Sequence, residues 1–176
     1  MREGFVMTKK VVDFWACQDE VTKAYQDKRV LLLGQGKSGK PNVMTIGWGS
    51  WGIIWKRPVF TVLVRPSRYT YPMLEETGEF SVNVLPPGKE EIAKFCGSNS
   101  GRSVDKFAAQ GLTPISGRVI SIPIVQECII NVECRIIYKS DLLPQALNGP
   151  IRAEIYGESQ DLHRIFIGEI VSCLRG

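Results

Sequence analysis

The sequence is nearly without histidine and has no paired cysteines. His163 stands alone in 176 residues, and Cys17, Cys96, Cys128, Cys134 and Cys173 form no CxxC. One histidine and scattered thiols cannot assemble an ordinary zinc pattern, so no metal site is expected. An odd number of unpaired cysteines points to buried thiols in a reducing compartment, and hence to a cytoplasmic protein. No apolar run reaches the roughly 18 residues of a membrane span. The opening MREGFVMTKK lacks the apolar stretch of a secretory signal, and Met7 is as acceptable a start as Met1. Charge of one sign is also in short supply: the net value is +4. The basic residues are scattered, and the tryptophans lack interleaved Lys or Arg, which argues against a nucleic-acid surface.

What remains is an ordinary globular composition, 44% hydrophobic and 23% charged. The length fits one domain, residues 1–176, with a core of its own. Residues 19–28 read as a short polar helix, and VLLLG (30–34) as a strand. QGKSGK (35–40) reads as a glycine-rich turn, followed by strand-like NVMTIGW and VFTVLV. SRYTYPMLEETG (67–78) reads as a helix capped by Ser67 and closed by Gly78, with Pro72 in its first turn. Residues 79–85 alternate as a strand. Residues 89–97 and 103–111 read as short helices, the first closed by Gly97 and the second capped by Ser103. Beyond them GRVISIPIV, CIINVECRIIYKS, RAEIYGES and HRIFIGEIVSCL all read as strands. Ile130, Val132, Cys134 and Ile136 alternate with Asn131, Glu133 and Arg135, the pattern of a half-buried antiparallel strand. Many short strands and few helices suggest a closed or nearly closed antiparallel barrel.

Four segments carry candidate chemistry. GQGKSGKP (34–41) satisfies most of a phosphate-binding P-loop, but Pro41 replaces the magnesium-holding Ser or Thr and a strand follows where a helix should. A hairpin turn with solvated Lys37 and Lys40 fits better. VRPSRYT (64–70) puts Arg65, Ser67, Arg68 and Thr70 at a strand-to-helix junction. Guanidiniums, hydroxyls and free helix N–H groups can hold a phosphate. A capped helix with solvated arginines is the alternative, and the residues alone leave both open. SNSGRSVDKF (98–107) adds Gly101, Arg102 and Lys106, either a second cationic cluster or a plain interhelical loop. NVMTIGWGSWGIIW (42–55) holds Trp48, Trp51 and Trp55 among glycines, suited to a flat ring or to a barrel corner. His163, at the start of a strand, is the one side chain that titrates near neutrality unaided.

Together these segments resemble the flavin reductase-like family of FMN-binding split barrels, especially its flavoredoxin-type members. PNVMTIGWGSWGIIWKRPVFTVLVRPSRYTYPMLEETGEFSVNV follows the family's central block, SGRSVDKF its S-G-R-x-x-D-K-F loop, and DLHRIFIGEI its late G-D-H-x-x-x-x-G-E-V segment. The likeness runs from about Val30 to Val171. It implies a mainly β fold, an antiparallel Greek-key split barrel with a few short helices. It implies FMN as cofactor, its phosphate held by Arg65, Ser67, Arg68 and Thr70. Asn42, Met44, Thr45 and Trp48 would line the isoalloxazine, partly through backbone groups, while Gly101, Arg102 and Lys106 close over it. A backbone N–H of residues 44–48, or Lys106, would stabilise the charge of the reduced ring. It places His163 on the nicotinamide side, with NADH or NADPH as reductant, and FMN near a homodimer interface.

The resemblance implies a flavin reductase passing electrons from NAD(P)H through FMN to free flavin or another acceptor. A flavoredoxin-type carrier with tightly bound FMN and a protein redox partner is the alternative. A non-flavin module on the same barrel is a third reading. The sequence departs from the pattern at Asp161-Leu162-His163, where reductases of the family typically carry Gly-Asp-His, a change that bears on nicotinamide docking.

Overall fold

A computed structural model describes residues 8–176; the two candidate starts, Met1 and Met7, lie outside them. A short strand β1 (Lys10–Val11) leads into a 3-10 turn and helix α1 (Gln18–Gln26), then β2 (Val30–Gln35), β3 (Pro41–Thr45), β4 (Gly49–Ile54) and β5 (Arg57–Val64). Helix α2 (Tyr71–Thr77) and β6 (Glu79–Val84) follow, then α3 (Glu90–Ser98), α4 (Lys106–Gln110), β7 (Pro114–Ile115) and β8 (Ile124–Val125). The chain closes with β9 (Ile130–Asp141), α5 (Gly149–Ile155) and β10 (Arg164–Arg175).

One antiparallel sheet runs β3-β2-β6-β9-β10-β5-β4, with β1 added on β10. Its two ends, β3 and β4, are consecutive in sequence yet do not pair. Ile46, Gly47 and Trp48 cross the gap between them. This gap is the split in the barrel.

The central strands are buried on both faces. Leu32, Phe60, Phe80, Val82, Val132 and Phe166 belong to one apolar cluster, joined by Phe14, Val21 and Ala24 from the N-terminal segment and α1. Leu31 and Leu33, on the other face of β2, join a second cluster with Ala93 and Cys96 of α3 and with Ile120 and Ile122. Gly168 of β10 lets the sheet close tightly, since a Cβ there would lie 2.7 Å from the Phe80 ring. All five cysteines are buried free thiols.

Two stretches differ from the sequence reading. RAEIYGES was expected as a strand but lies in α5 and the turn after it. Asn148 accepts the Ile151 N–H at 3.4 Å, Pro150 sits in the first turn, and Gly157 reverses the chain at φ +53. GRVISIPIV is not a strand except at Ile124–Val125. Its backbone is bonded by side chains instead: Glu133 accepts the N–H groups of Arg118 (2.5 Å) and Val119 (3.2 Å), Glu79 that of Ser121, and Asn83 that of Val125. Glu133 is fully buried, as is Asn131, which donates from Nδ2 to Asn83 Oδ1 and the Val125 carbonyl, and the expected half-buried strand is covered on both sides over residues 130–134.

The GQGKSGKP turn is the β2–β3 hairpin, with Gly39 at φ +78 and Lys37 and Lys40 exposed.

Candidate functional site

The three-residue crossing of the barrel split is one wall of a cavity of about 490 Å³. The strand-to-helix turn after β5 and the segment joining α3 to α4 also line it. Every residue that the family resemblance assigns to cofactor or reductant lines this one cavity, whereas Trp51 and Trp55 do not. Asn42, Met44, Thr45 and Trp48 come from β3 and the crossing, and Arg65, Ser67, Arg68 and Thr70 from the turn. Gly101, Arg102 and Lys106 come from the α3–α4 loop and the start of α4, and His163 from the residue before β10. Among the described residues, Arg65, Arg68, Arg102 and Lys106 outnumber the one carboxylate bonded to a lining residue, Asp161 on Ser67, so the cavity is cationic.

Local geometry assigns several of these side chains. Asn42, buried, donates from Nδ2 to Thr70 Oγ1 at 2.8 Å and so ties β3 to the turn. Thr70 is fully buried and precedes α2 without capping it by its side chain. Gly101 allows the α3–α4 loop to reach Asn42: a Cβ at Gly101 would lie 2.0 Å from Asn42 Oδ1. Thr45 Oγ1 donates to the Ala93 carbonyl, fixing α3 against β3. Lys106, also buried, donates to the carbonyls of Val43 (2.9 Å) and Cys96 (2.7 Å). Burial lowers its pKa, with Cys96 opposing and Arg68 adding to that shift. An ammonium has three protons, so two are committed to holding β3 and α3 together.

The turn after β5 departs from the sequence expectation. The helix begins at Tyr71, not Ser67, and Ser67 caps nothing. The Ser67 N–H (3.2 Å) and Oγ (2.6 Å) both donate to the carboxylate of Asp161. Arg102 donates to the Ser67 carbonyl at 3.1 Å and lies over the Tyr69 ring at 5.3 Å. Arg65 lies over the Tyr156 ring at 5.1 Å. Arg68 is exposed and makes no side-chain hydrogen bond or ion pair among the described residues. The two flanking helices also differ in their ends: Gly97 lies inside α3, which ends at Ser98, and Asp105 rather than Ser103 caps α4, accepting the N–H groups of Phe107 and Ala108.

Across the cavity, His163 packs against Trp48 with ring centroids 4.8 Å apart. Desolvation, then the charge of Arg65, pulls its pKa down to about 4, with Asp161 opposing and Arg68 adding to the shift. Its Nδ1 lies 2.8 Å from the Tyr156 hydroxyl. Sequence reasoning missed Tyr156, because the stretch was read as a strand, and missed the role of Asp161, which sits in a polar loop with no local signature.

A model of the flavin reductase-like domain matches residues 24–175. The chain belongs to the flavin reductase-like family. A flavoredoxin from Methanosarcina acetivorans is 30% identical, over 85% of this chain and 69% of that one, with a TM-score of 0.64. The flavoredoxin of Desulfovibrio vulgaris (Miyazaki F) is 26% identical, over 84% of this chain and 69% of that one, with a TM-score of 0.67. For the fold alone, a putative flavin reductase with a split barrel domain from Shewanella frigidimarina matches at 19% identity, over 87% of this chain and 72% of that one, TM-score 0.65. The chain spans 72% of the length of one curated relative and 53% of another. As a flavin reductase-like protein it is mainly β and antiparallel, with the split barrel of its relatives. Among its described residues no helix is long and apolar enough to cross a membrane.

Proposed function

We propose that the cavity holds FMN and that the chain is an NAD(P)H-dependent flavin reductase, passing electrons through FMN to free flavin or another acceptor. The observation that carries this reading is the charge of the cavity. Arg65, Arg68, Arg102 and Lys106 line it and outnumber the adjacent carboxylate of Asp161, and its volume lies within the usual range for small-ligand sites. Bound flavin supplies the hydride and electron chemistry. The chain supplies position and field. The exposed, unpaired Arg68 and the neighbouring Arg65 attract the phosphate. Asn42, Met44, Thr45 and Trp48 bound the space for a flat ring, and His163 borders the reductant side.

The likeness to two flavoredoxins favours a second reading, a carrier with permanently bound FMN and a protein redox partner. Anaerobic absorbance separates the two. Flavin bands that shift on adding FMN and bleach quickly with NADH or NADPH support the reductase. Bands that copurify and resist both nucleotides support the carrier. Protein that takes up no flavin refutes both.

We extend the proposal to assembly and location. Exposed Trp55, in the β4–β5 turn, and Tyr138 of β9 have ring centroids 5.9 Å apart and form an apolar patch that supports a homodimer; FMN near its interface rests on the family likeness alone. Sedimentation of a single 19.7 kDa species would refute it. Free buried thiols support a cytoplasmic location.

A further inference from the structure

We propose that Tyr156 is a positioning residue: its hydroxyl donates to Nδ1 of His163, fixes the neutral ring as the Nε2–H tautomer, and so offers the cavity a hydrogen-bond donor for a carbonyl oxygen. The role given to that donor rests on the flavin reading above; the tautomer does not.

The chain geometry that brings the two residues together is local. Tyr156 ends α5, and the left-handed turn at Gly157 sends the chain back so that His163 enters β10 beside it. Tyr156 is buried, and the 2.8 Å contact with His163 Nδ1 is the only hydrogen bond its hydroxyl makes among the described residues.

The direction of that bond follows from the groups around it. A neutral imidazole has one N–H and one bare nitrogen, so Nδ1 either donates or accepts. The charged and titratable groups facing His163 are Arg65 and Arg68 from the turn after β5, Asp161 from its own loop, and Tyr156. Burial first, and then the charge of Arg65, keep the ring uncharged, with Asp161 opposing and Arg68 adding to the effect. The Arg65 guanidinium lies over the Tyr156 ring at 5.1 Å. A cation on the aromatic face draws electron density from the phenol, which makes its O–H a better donor and its oxygen a poorer acceptor. The bare imidazole nitrogen is in any case the more basic of the two atoms. Tyr156 therefore donates, Nδ1 accepts, and the ring proton resides on Nε2. Nε2 makes no hydrogen bond to another described residue, and the ring lines the cavity. Its remaining partner is a ligand atom that accepts: a carbonyl of the flavin, or the carboxamide oxygen of the reductant.

The protein has one histidine, so the test needs no assignment. The full chain is labelled with 15N-histidine, and two-bond proton–nitrogen spectra are recorded from pH 5.5 to 8, first as purified without added ligand. The expected pattern is protonated Nε2 and bare Nδ1 across this range. A protonated Nδ1 overturns the proposal. In Tyr156→Phe the two tautomers should mix across the same pH range, as the hydrogen bond that selects one of them is lost. Unchanged tautomer populations overturn it, and because the wild-type spectrum already reports the tautomer, a variant that fails to fold does not remove the test. FMN is added to the wild-type protein, and then NAD+ or, in a parallel sample, NADP+. Movement of the Nε2 proton with FMN alone identifies a flavin carbonyl; movement only with the nucleotide identifies the carboxamide. Movement with neither overturns the donor role. Failure to bind FMN would refute the flavin reading and leave the tautomer standing.

Discussion

Asp161 accepts both the backbone N–H and the hydroxyl of Ser67, at 3.2 and 2.6 Å. The carboxylate thus sits where a phosphate bound to Ser67 would place its oxygens. A ligand phosphate using Ser67 has to displace Asp161 and overcome its charge. Asp161→Asn should therefore tighten FMN several-fold relative to riboflavin, the scale of one charge-assisted bond partly regained. Fluorescence titration with both flavins measures this. An unchanged ratio would mean that Ser67 is no part of the phosphate site.

Arg68 is the cation least engaged by the protein, and Arg65 is stacked on Tyr156. Replacing either with Ala should weaken FMN far more than riboflavin, by about 1.5–3 kcal/mol each. Arg65→Ala should also disturb His163, whereas Arg68→Ala should not move its ring. Equal losses for the two flavins would shift the phosphate to Arg102.

Lys106 tests whether a buried cation serves the cofactor or the fold. Lys106→Met leaves the Val43 and Cys96 carbonyls without their donor. It should cost about 2–4 kcal/mol, seen as a lower urea midpoint at unchanged slope. Full stability with lost flavin affinity would instead make Lys106 a ligand first.

His163 gives the protein a distinctive acid response. Its ring is harder to protonate in the folded chain, about 4 against an ordinary 6.5. The unfolded chain thus binds more protons between those values. The stability this contributes is complete above pH 6.5 and is lost as the pH falls towards 4. With half the ring exposed, the difference is on the order of 1 kcal/mol. His163→Gln should lose that much less stability than the wild type between pH 7.5 and 4.5, read by thermal melts. Parallel losses would show that the ring titrates normally in place.

Much of this architecture was legible because the signals were local. VLLLG and VFTVLV are apolar runs of strand length, and the GKSGK turn announces a hairpin. The 65–70 turn and the 98–107 loop stood out as polar clusters at element ends, while Asn42, Met44 and Thr45 were legible only through the family resemblance. Two things were hidden by long-range partners, and a third differed for local reasons. Asn131 and Glu133 look like the wet face of a strand, yet both are buried: Glu133 accepts the Arg118 and Val119 N–H groups, and Asn131 donates from Nδ2 to Asn83 Oδ1 and the Val125 carbonyl. Ser67 looks like a cap, yet its donors go to a residue 94 positions away. RAEIYGES alternates, but Asn148 and Pro150 before it and Gly157 within it mark a helix, and the wrong period was weighted.

The unpaired seam between β3 and β4 separates the ligand-facing residues from the packed interior. The cavity is lined from β3, the crossing, β5 and the turn after it, and the α3–α4 segment, while Phe60, Phe80 and Phe166 pack in the barrel core. Substitutions at the seam should therefore change ligand preference with little disturbance to the scaffold, whereas truncations in the aromatic interior should cost stability.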